Sequence, residues 1–194
     1  MTTLTSPDGP RTDDPLTGAG GTVWLTGLPS AGKTTIAHAV ADRLRPTGRR
    51  VEVLDGDAVR ETLSAGLGFS RADRDANVER IGFVAELLAR NGVLVLAAVI
   101  SPYARARQRV RDRHVDNGTT FVQVHVATPV TECSARDVKG LYARARSGDI
   151  TGLTGVDDPY EPPADPDLRL DTAGRSVSEC VQNVLAVLAG RGLA

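Results

Sequence analysis

One eight-residue stretch constrains this chain more than any other. Gly27-Leu28-Pro29-Ser30-Ala31-Gly32-Lys33-Thr34 fits the pattern G-x-x-x-x-G-K-[ST]. Its surroundings match the demands of that pattern. Thr22-Val23-Trp24-Leu25-Thr26 reads as a short buried strand, and Ile36, Ala37, Val40, Ala41 and Leu44 recur at helical spacing behind it. Glycines let the loop backbone curl so that N–H groups converge on phosphate oxygens, and the following helix N-terminus adds partial positive charge. In such a loop Lys33 reaches the β- and γ-phosphates and the Thr34 hydroxyl takes a place on Mg²⁺. The run Gly27 to Thr35 is therefore the expected cradle of a nucleoside triphosphate.

The rest of the chain alternates in the same manner. Strands are expected at Arg50–Leu54, Val93–Ile100, Phe121–Val126 and Leu168–Leu170, after the first at Thr22–Thr26. Helical patterns run over Thr34–Arg45, Ala58–Ala65, Ala72–Arg90, Ala104–Asn117 and Val177–Leu188. Near-continuous apolar strands separated by helices indicate an α/β protein with a parallel sheet covered on both faces, joined by right-handed crossovers. The segment from Val138 to Asp165 departs from this. It is rich in Gly, Pro and charge and has no long apolar stripe, which suits a functional lid or a plain surface excursion.

At 194 residues the chain makes one domain, large enough to bury roughly 70% of its unfolded surface. A formal net charge of −1 supplies no basic field for nucleic acid or for an anionic membrane. Val93–Ile100 is too short to span a bilayer. The first twenty residues are polar and Pro/Gly-rich, read as a disordered lead-in without the apolar centre of a signal peptide. Cys133 and Cys180 form neither a metal-ligand pattern nor a disulfide framework; they read as small hydrophobes in a reducing cytoplasm.

Which nucleotide reaction follows is narrowed by two further clusters. A guanine-reading Asn-Lys-x-Asp is absent, which excludes switch GTPases, whereas small-molecule kinases need a carboxylate, an acceptor pocket and a lid. Asp55 and Asp57 fall at the carboxyl end of the second strand, the edge at which open parallel sheets bind ligands. Either could hold Mg²⁺ through water or accept a hydroxyl proton, and the alternative is an Asp-Gly turn capping the next helix. Ser70 and Asp73 make a capping box opening a helix on which Arg74, Asn77 and Ile81 share one stripe with Val84 and Leu88. Arg74 and Asn77 thus face inward, where an anionic ligand or an internal salt bridge must satisfy them; Arg60 could join either. Phe69 beside them suits the core or a purine.

These residues resemble a family. Asp55-Gly56-Asp57-x-x-Arg60 and Gly68-Phe69-Ser70-x-x-Asp73-Arg74-x-x-Asn77-x-x-Arg80-Ile81-Gly82 closely resemble the adenylylsulfate kinases. So does Ile100-Ser101-Pro102-Tyr103-x-x-x-Arg107. Further on, Arg136-Asp137-x-Lys139-Gly140-Leu141-Tyr142, Thr154-Gly155-Val156-Asp157 and Pro159-Tyr160-Glu161-x-Pro163 resemble that family's lid. The likeness runs from about Gly21 to the C-terminus.

The resemblance implies a three-layer P-loop kinase fold, a five-stranded parallel sheet with helices on both faces and a lid at about 138–165. It implies transfer of the γ-phosphoryl of ATP to the ribose 3′-hydroxyl of adenylyl sulfate, giving 3′-phosphoadenylyl sulfate for sulfate activation, in a homodimer. Carried over by motif, Arg60, Arg74 and Asn77 hold the phosphosulfate-bearing nucleotide and Phe69 stacks on its adenine. Ile100 and Ser101 border that pocket, Lys139 reaches in from the lid, and Arg136 packs on the adenine of ATP. Asp57 is the expected proton acceptor, Lys33 stabilises the transferring group, and Thr34 with Asp55 holds Mg²⁺. Ser101 is the position the family describes as a phosphoserine intermediate; its alternative role is a hydroxyl that orients substrate. Three departures stand out: Leu-Pro-Ser-Ala replaces the usual Leu-Ser-Gly-Ser in the loop, Leu153 stands where many members carry Phe, and a basic helix is missing from the arm before Gly21. A kinase for another hydroxyl acceptor and a nucleotide-binding regulatory subunit remain the alternatives.

Overall fold

The computed structural model describes residues 18–194, so the expected lead-in over residues 1–20 lies almost wholly outside the described residues. Five parallel strands form one sheet: β1 (Gly21–Thr26), β2 (Val51–Asp55), β3 (Leu94–Ala98), β4 (Thr120–Val126) and β5 (Leu168–Leu170), in the order β2-β3-β1-β4-β5. The expected three-layer architecture is present. Alternation along β1 explains it: Val23 and Leu25 point to one face, where they pack with Ile36, Val40 and Leu44 of α1 (Lys33–Leu44) and Val184 and Leu188 of α7 (Val177–Gly190). Trp24 points to the other, against Val78 and Ile81 of α3 (Arg71–Ala89) and Ala106 and Val110 of α4 (Ala104–Asp116). Gly82 permits the close approach of α3 to α4, since a Cβ there would strike the Val110 side chain.

Several element ends differ from expectation for local reasons. The helix expected at Ala58–Ala65 is α2 (Gly56–Glu61), because the Asp55 carboxylate accepts from the Asp57 and Ala58 backbone N–H groups and starts it early. The third strand is shorter than Val93–Ile100: Val99 still donates to the Leu25 carbonyl, and the chain then turns away at Ser101, whose φ is 41°. Ser70 caps α3, accepting from the Asp73 N–H at 3.2 Å; the Asp73 carboxylate answers by taking the Ser70 hydroxyl rather than a backbone N–H.

Two short helices were not expected, α5 (Val130–Arg136) and α6 (Leu141–Arg146). The second lies inside the 138–165 segment, which carries more core than its composition suggests. Tyr142 and Leu153 are buried there in the α1/α7 core cluster. Tyr142 packs there with Leu141 and Ala145 of a single short helix, and Leu153 stands alone between Gly152 and Thr154, so neither belongs to a long apolar stripe. Every strand's carboxyl end opens on one edge, and the loops leaving β1, β2, β3, β4 and β5 surround a single cavity of about 920 Å³.

Candidate active site

The phosphate loop leaves β1 at Gly27, where a Cβ would collide with the Val126 carbonyl oxygen of the neighbouring strand. Thr128 beyond β4 and Thr172 beyond β5 both donate to the Ala31 carbonyl, at 2.9 and 3.3 Å, and fix the loop from outside. Tyr142 adds a third tether, donating to the Pro29 carbonyl at 3.1 Å. Pro29, a departure in sequence, thus serves through its carbonyl; its missing N–H lies where the loop is held by α6. The first N–H groups of α1 have no acceptor within the helix and converge on the cavity beside Ser30, Gly32, Thr34 and Thr35. Lys33 folds back over the loop and donates to the carbonyls of Gly27 and Leu28, at 3.0 and 2.7 Å. Burial pulls its ammonium from 10.5 down to about 8, with Lys139 adding in the same direction.

Asp55 takes the capping position that was its alternative reading, and it also meets Thr34. One carboxylate oxygen caps α2, and the other accepts the Thr34 hydroxyl at 2.6 Å. Hydroxyl and carboxylate side by side at the phosphate loop fit Mg²⁺, which takes few protein ligands and keeps water and phosphate oxygens. Asp57, on the first turn of α2, faces the same cavity and forms an ion pair with Lys139 from across it.

The wall opposite the phosphate loop carries the other expected residues. Phe69 is two-thirds exposed, an unusual state for a phenyl ring, with the guanidinium of Arg60 4.6 Å from its centroid and that of Arg74 5.6 Å away. Arg60 also donates to the Gly68 carbonyl at 3.1 Å, and burial together with Arg74 lowers its pKa. Arg74 is almost fully engaged: it donates to the Phe69 carbonyl (2.8 Å), the Thr154 hydroxyl (3.0 Å) and the Gly152 carbonyl (2.6 Å), with Asp158 at 3.8 Å. Apart from the Phe69 carbonyl, its partners lie in the 138–165 segment. Asn77 differs. It is 5% exposed, lines the cavity, and its Oδ1 has no hydrogen-bond partner. A buried carbonyl oxygen without a donor costs about 1–3 kcal/mol and marks a place where a ligand completes the structure. Leu153 lines the cavity beside Gly152, its backbone N–H held by the Asp157 carboxylate at 2.6 Å.

Ile100 and Ser101 close the cavity from the end of β3. Ser101 is buried, its Oγ accepting from Trp24 Nε1 at 3.0 Å and donating to the Thr26 hydroxyl at 2.9 Å. Thr26 in turn donates to the Ile100 carbonyl at 2.7 Å. On the far side of the phosphate loop, the Arg136 guanidinium is held flat by the Thr172 hydroxyl (2.8 Å) and carbonyl (3.1 Å), beside Arg175, Val177 and Cys180. Arg175, Val177 and Thr172, which line the cavity, and Trp24, Thr26 and Thr128, which hydrogen-bond to residues that do or to the phosphate loop, carry no signal for the site in sequence.

A phosphate loop on a β2-β3-β1-β4-β5 parallel sheet, with carboxylates beside it and a polar, arginine-lined wall in the same cavity, defines a P-loop phosphotransferase. The particular group follows from comparison. The chain matches the sequence profile described as Adenylylsulphate kinase over residues 19–171. An adenylyl-sulfate kinase of Synechococcus sp. (strain JA-3-3Ab) is 55% identical over 173 residues, covering 89% of this chain and 96% of the relative. The Mycobacterium tuberculosis APS kinase, solved in complex with AMPPNP and APS, superposes with a TM-score of 0.86 at 48% identity, over 89% of this chain and 99% of that one. A hexameric APS kinase from Thiobacillus denitrificans superposes with a TM-score of 0.69 at 39% identity, over 94% of this chain and 31% of that longer one. The chain belongs to the adenylylsulfate kinase family.

Proposed function

We propose that this chain transfers the γ-phosphoryl group of ATP to the ribose 3′-hydroxyl of adenylyl sulfate, yielding 3′-phosphoadenylyl sulfate and ADP in sulfate activation. The observation that carries this reading is the single cavity joining the phosphate loop to the unpartnered Oδ1 of Asn77. ATP would lie with its phosphates on Gly27 to Thr35 and its adenine on Arg136. Adenylyl sulfate would lie opposite, its adenine on the exposed Phe69 ring, Asn77 donating or accepting at the nucleotide, and Arg60 and Lys139 facing its anionic groups. Arg74 would act on this ligand by holding Phe69, Gly152 and Thr154 in place, and Ile100 and Leu153 would close the pocket.

In the reaction the acceptor 3′-oxygen forms a bond to the γ-phosphorus as the bond to the β,γ-bridging oxygen breaks. Asp57 would take the hydroxyl proton, having a carboxylate on the cavity wall between the two ligands. Lys33 would follow the γ-phosphate and balance its negative charge. Thr34 and, through water, Asp55 would hold Mg²⁺, which would supply positive charge against the phosphates. Ser101 would orient rather than react, because its proton and one lone pair are already committed to Thr26 and Trp24. A Ser101→Ala variant accordingly keeps measurable transfer.

The two buried free thiols fit a reducing cytoplasm, and no helix among the described residues is long and apolar enough to cross a membrane. We place the functional unit at residues 21–194, with 138–165 as its lid, and a homodimer as its assembly. The deciding experiment is ADP release from Mg-ATP with and without adenylyl sulfate, with the nucleotide product identified by mass. Stimulated turnover with a 3′-phosphorylated product is expected; no stimulation with intact ATP binding would refute the acceptor.

A further inference from the structure

Arg107 belongs to the Ile100-to-Arg107 motif, yet none of the roles above uses it. It is 2% exposed, although it carries a permanent charge, and no carboxylate lies within ion-pair distance of it among the described residues. Its two terminal nitrogens each donate to a backbone carbonyl: one to Ser101 at 2.6 Å, the other to Glu161 at 2.5 Å. Those carbonyls belong to two segments that both reach the cavity, one at Ser101 and the other through Gly152, Leu153 and Thr154. Ser101 follows β3 with a φ of 41°, a conformation uncommon for a residue with a side chain. Glu161 lies in the later part of the 138–165 segment.

The surrounding contacts point the same way. The Glu161 N–H donates to the Pro102 carbonyl at 2.8 Å, and its carboxylate accepts from the Ala104 N–H at 2.7 Å. Tyr160, whose ring stacks on His125 and lies 5.8 Å from the Arg107 guanidinium, shares a hydrogen bond with Thr26 at 3.1 Å. Thr26 is the residue just before the phosphate loop. One buried guanidinium therefore sits at the junction of the Ser101 turn, the lid limb and the end of β1.

We propose that Arg107 is a positioning residue for the acceptor: its fork holds the Ser101 turn and the lid limb at a fixed separation, and so sets the acceptor-side wall of the cavity. A rigid two-pronged donor is required, because two separate nitrogens of one guanidinium hold the two carbonyls at once; an ammonium offers a single point. The inference rests on the acceptor reading above. A displacement of the Ser101 turn would misplace the acceptor hydroxyl against the γ-phosphate, to which in-line transfer is acutely sensitive, while the phosphate loop keeps its own tethers at Thr128, Thr172 and Tyr142.

The test compares Arg107→Lys, Arg107→Ala and Tyr160→Phe with the parent protein. Arg107→Lys is expected to raise the acceptor KM by about tenfold or more, the loss of one charge-assisted hydrogen bond. The Kd of a non-hydrolysable ATP analogue should stay within about twofold of the parent, and added guanidinium ion should recover part of the Arg107→Ala loss. An unchanged acceptor KM, or equal losses for both nucleotides that track the melting temperature, would overturn the proposal and leave Arg107 merely structural. Should Arg107→Ala not fold, Arg107→Lys and Tyr160→Phe carry the comparison. Should the parent itself ignore adenylyl sulfate, the acceptor reading fails separately. The positioning claim is then read from hydrogen exchange at the Glu161 amide, which Arg107→Lys must accelerate and which, if unchanged, sinks it.

Discussion

Raising the pH through 8 should weaken nucleotide binding, because Lys33 must be charged to hold the γ-phosphate and loses its proton more readily than an ordinary lysine in the empty site. Burial holds its pKa at about 8 against an ordinary 10.5, with Lys139 adding to the effect and Asp55 opposing it, and its ammonium donates to the Gly27 and Leu28 carbonyls. A bound triphosphate restores the lost solvation with anionic oxygens and raises the pKa again. The sign follows from linkage: the bound state holds the proton more tightly than the free state, so binding takes up a proton between the two pKa values. Affinity is then flat below pH 8 and falls by up to tenfold per unit above it. Full recovery to 10.5 would bring the total to roughly 300-fold, or about 3 kcal/mol. The empty protein should show the opposite slope. Its unfolded chain binds more protons at this lysine between pH 8 and 10.5, so stability rises with pH across that window. Titration calorimetry of a non-hydrolysable ATP analogue at pH 7 to 10, in buffers of different ionisation heat, reads both affinity and proton uptake. A Kd independent of pH, or an identical slope in Lys33→Met, would refute the reasoning.

Gly27→Ala forces a methyl group onto the Val126 carbonyl, a backbone atom that cannot swing aside; the expected loss is about 1–3 kcal/mol of stability with nucleotide binding abolished, measured by thermal melting and calorimetry. Asn77→Leu removes the unpartnered buried Oδ1, so the empty protein should gain about 1–3 kcal/mol while the acceptor KM rises at least tenfold and the ATP KM holds; steady-state kinetics beside denaturant melts check it. His125, 9% exposed, is pushed down to about 4 by burial, with Arg169 and Arg107 adding to it. Its unfolded form binds the extra proton from pH 6.5 downward, so stability should fall by about 3 kcal/mol between pH 6.5 and 4, and His125→Gln should remove that part of the slope in urea melts.

Much of this protein was legible before any coordinates. The phosphate loop, the five strands, the capping of α3 by Ser70 and the inward stripe of Arg74 and Asn77 are local patterns, each written in residues within a few positions of one another. Family resemblance then named a partner for each inward polar group. Local pattern failed where a contact joins distant segments. Tyr142 and Leu153 look like polar-loop residues in sequence, yet they enter the core because α6 lies over the phosphate loop. Arg74 reads as a ligand-seeking cation, and its partners prove to be Gly152 and Thr154, some eighty positions away.

Residue spacing alone makes the available chemistry readable: a nucleotide cradle, two carboxylates at the end of β2 and an arginine-rich wall. Helix and strand periods convert that spacing directly into shared faces. Which of those groups are already satisfied emerges only from the packed fold. Ser101 is committed to Trp24 and Thr26, and Asp55 to Thr34 and α2, while the Asn77 Oδ1 on the cavity wall has no donor. Hydrogen-bond satisfaction is a property of three-dimensional neighbours, which spacing along the chain does not encode.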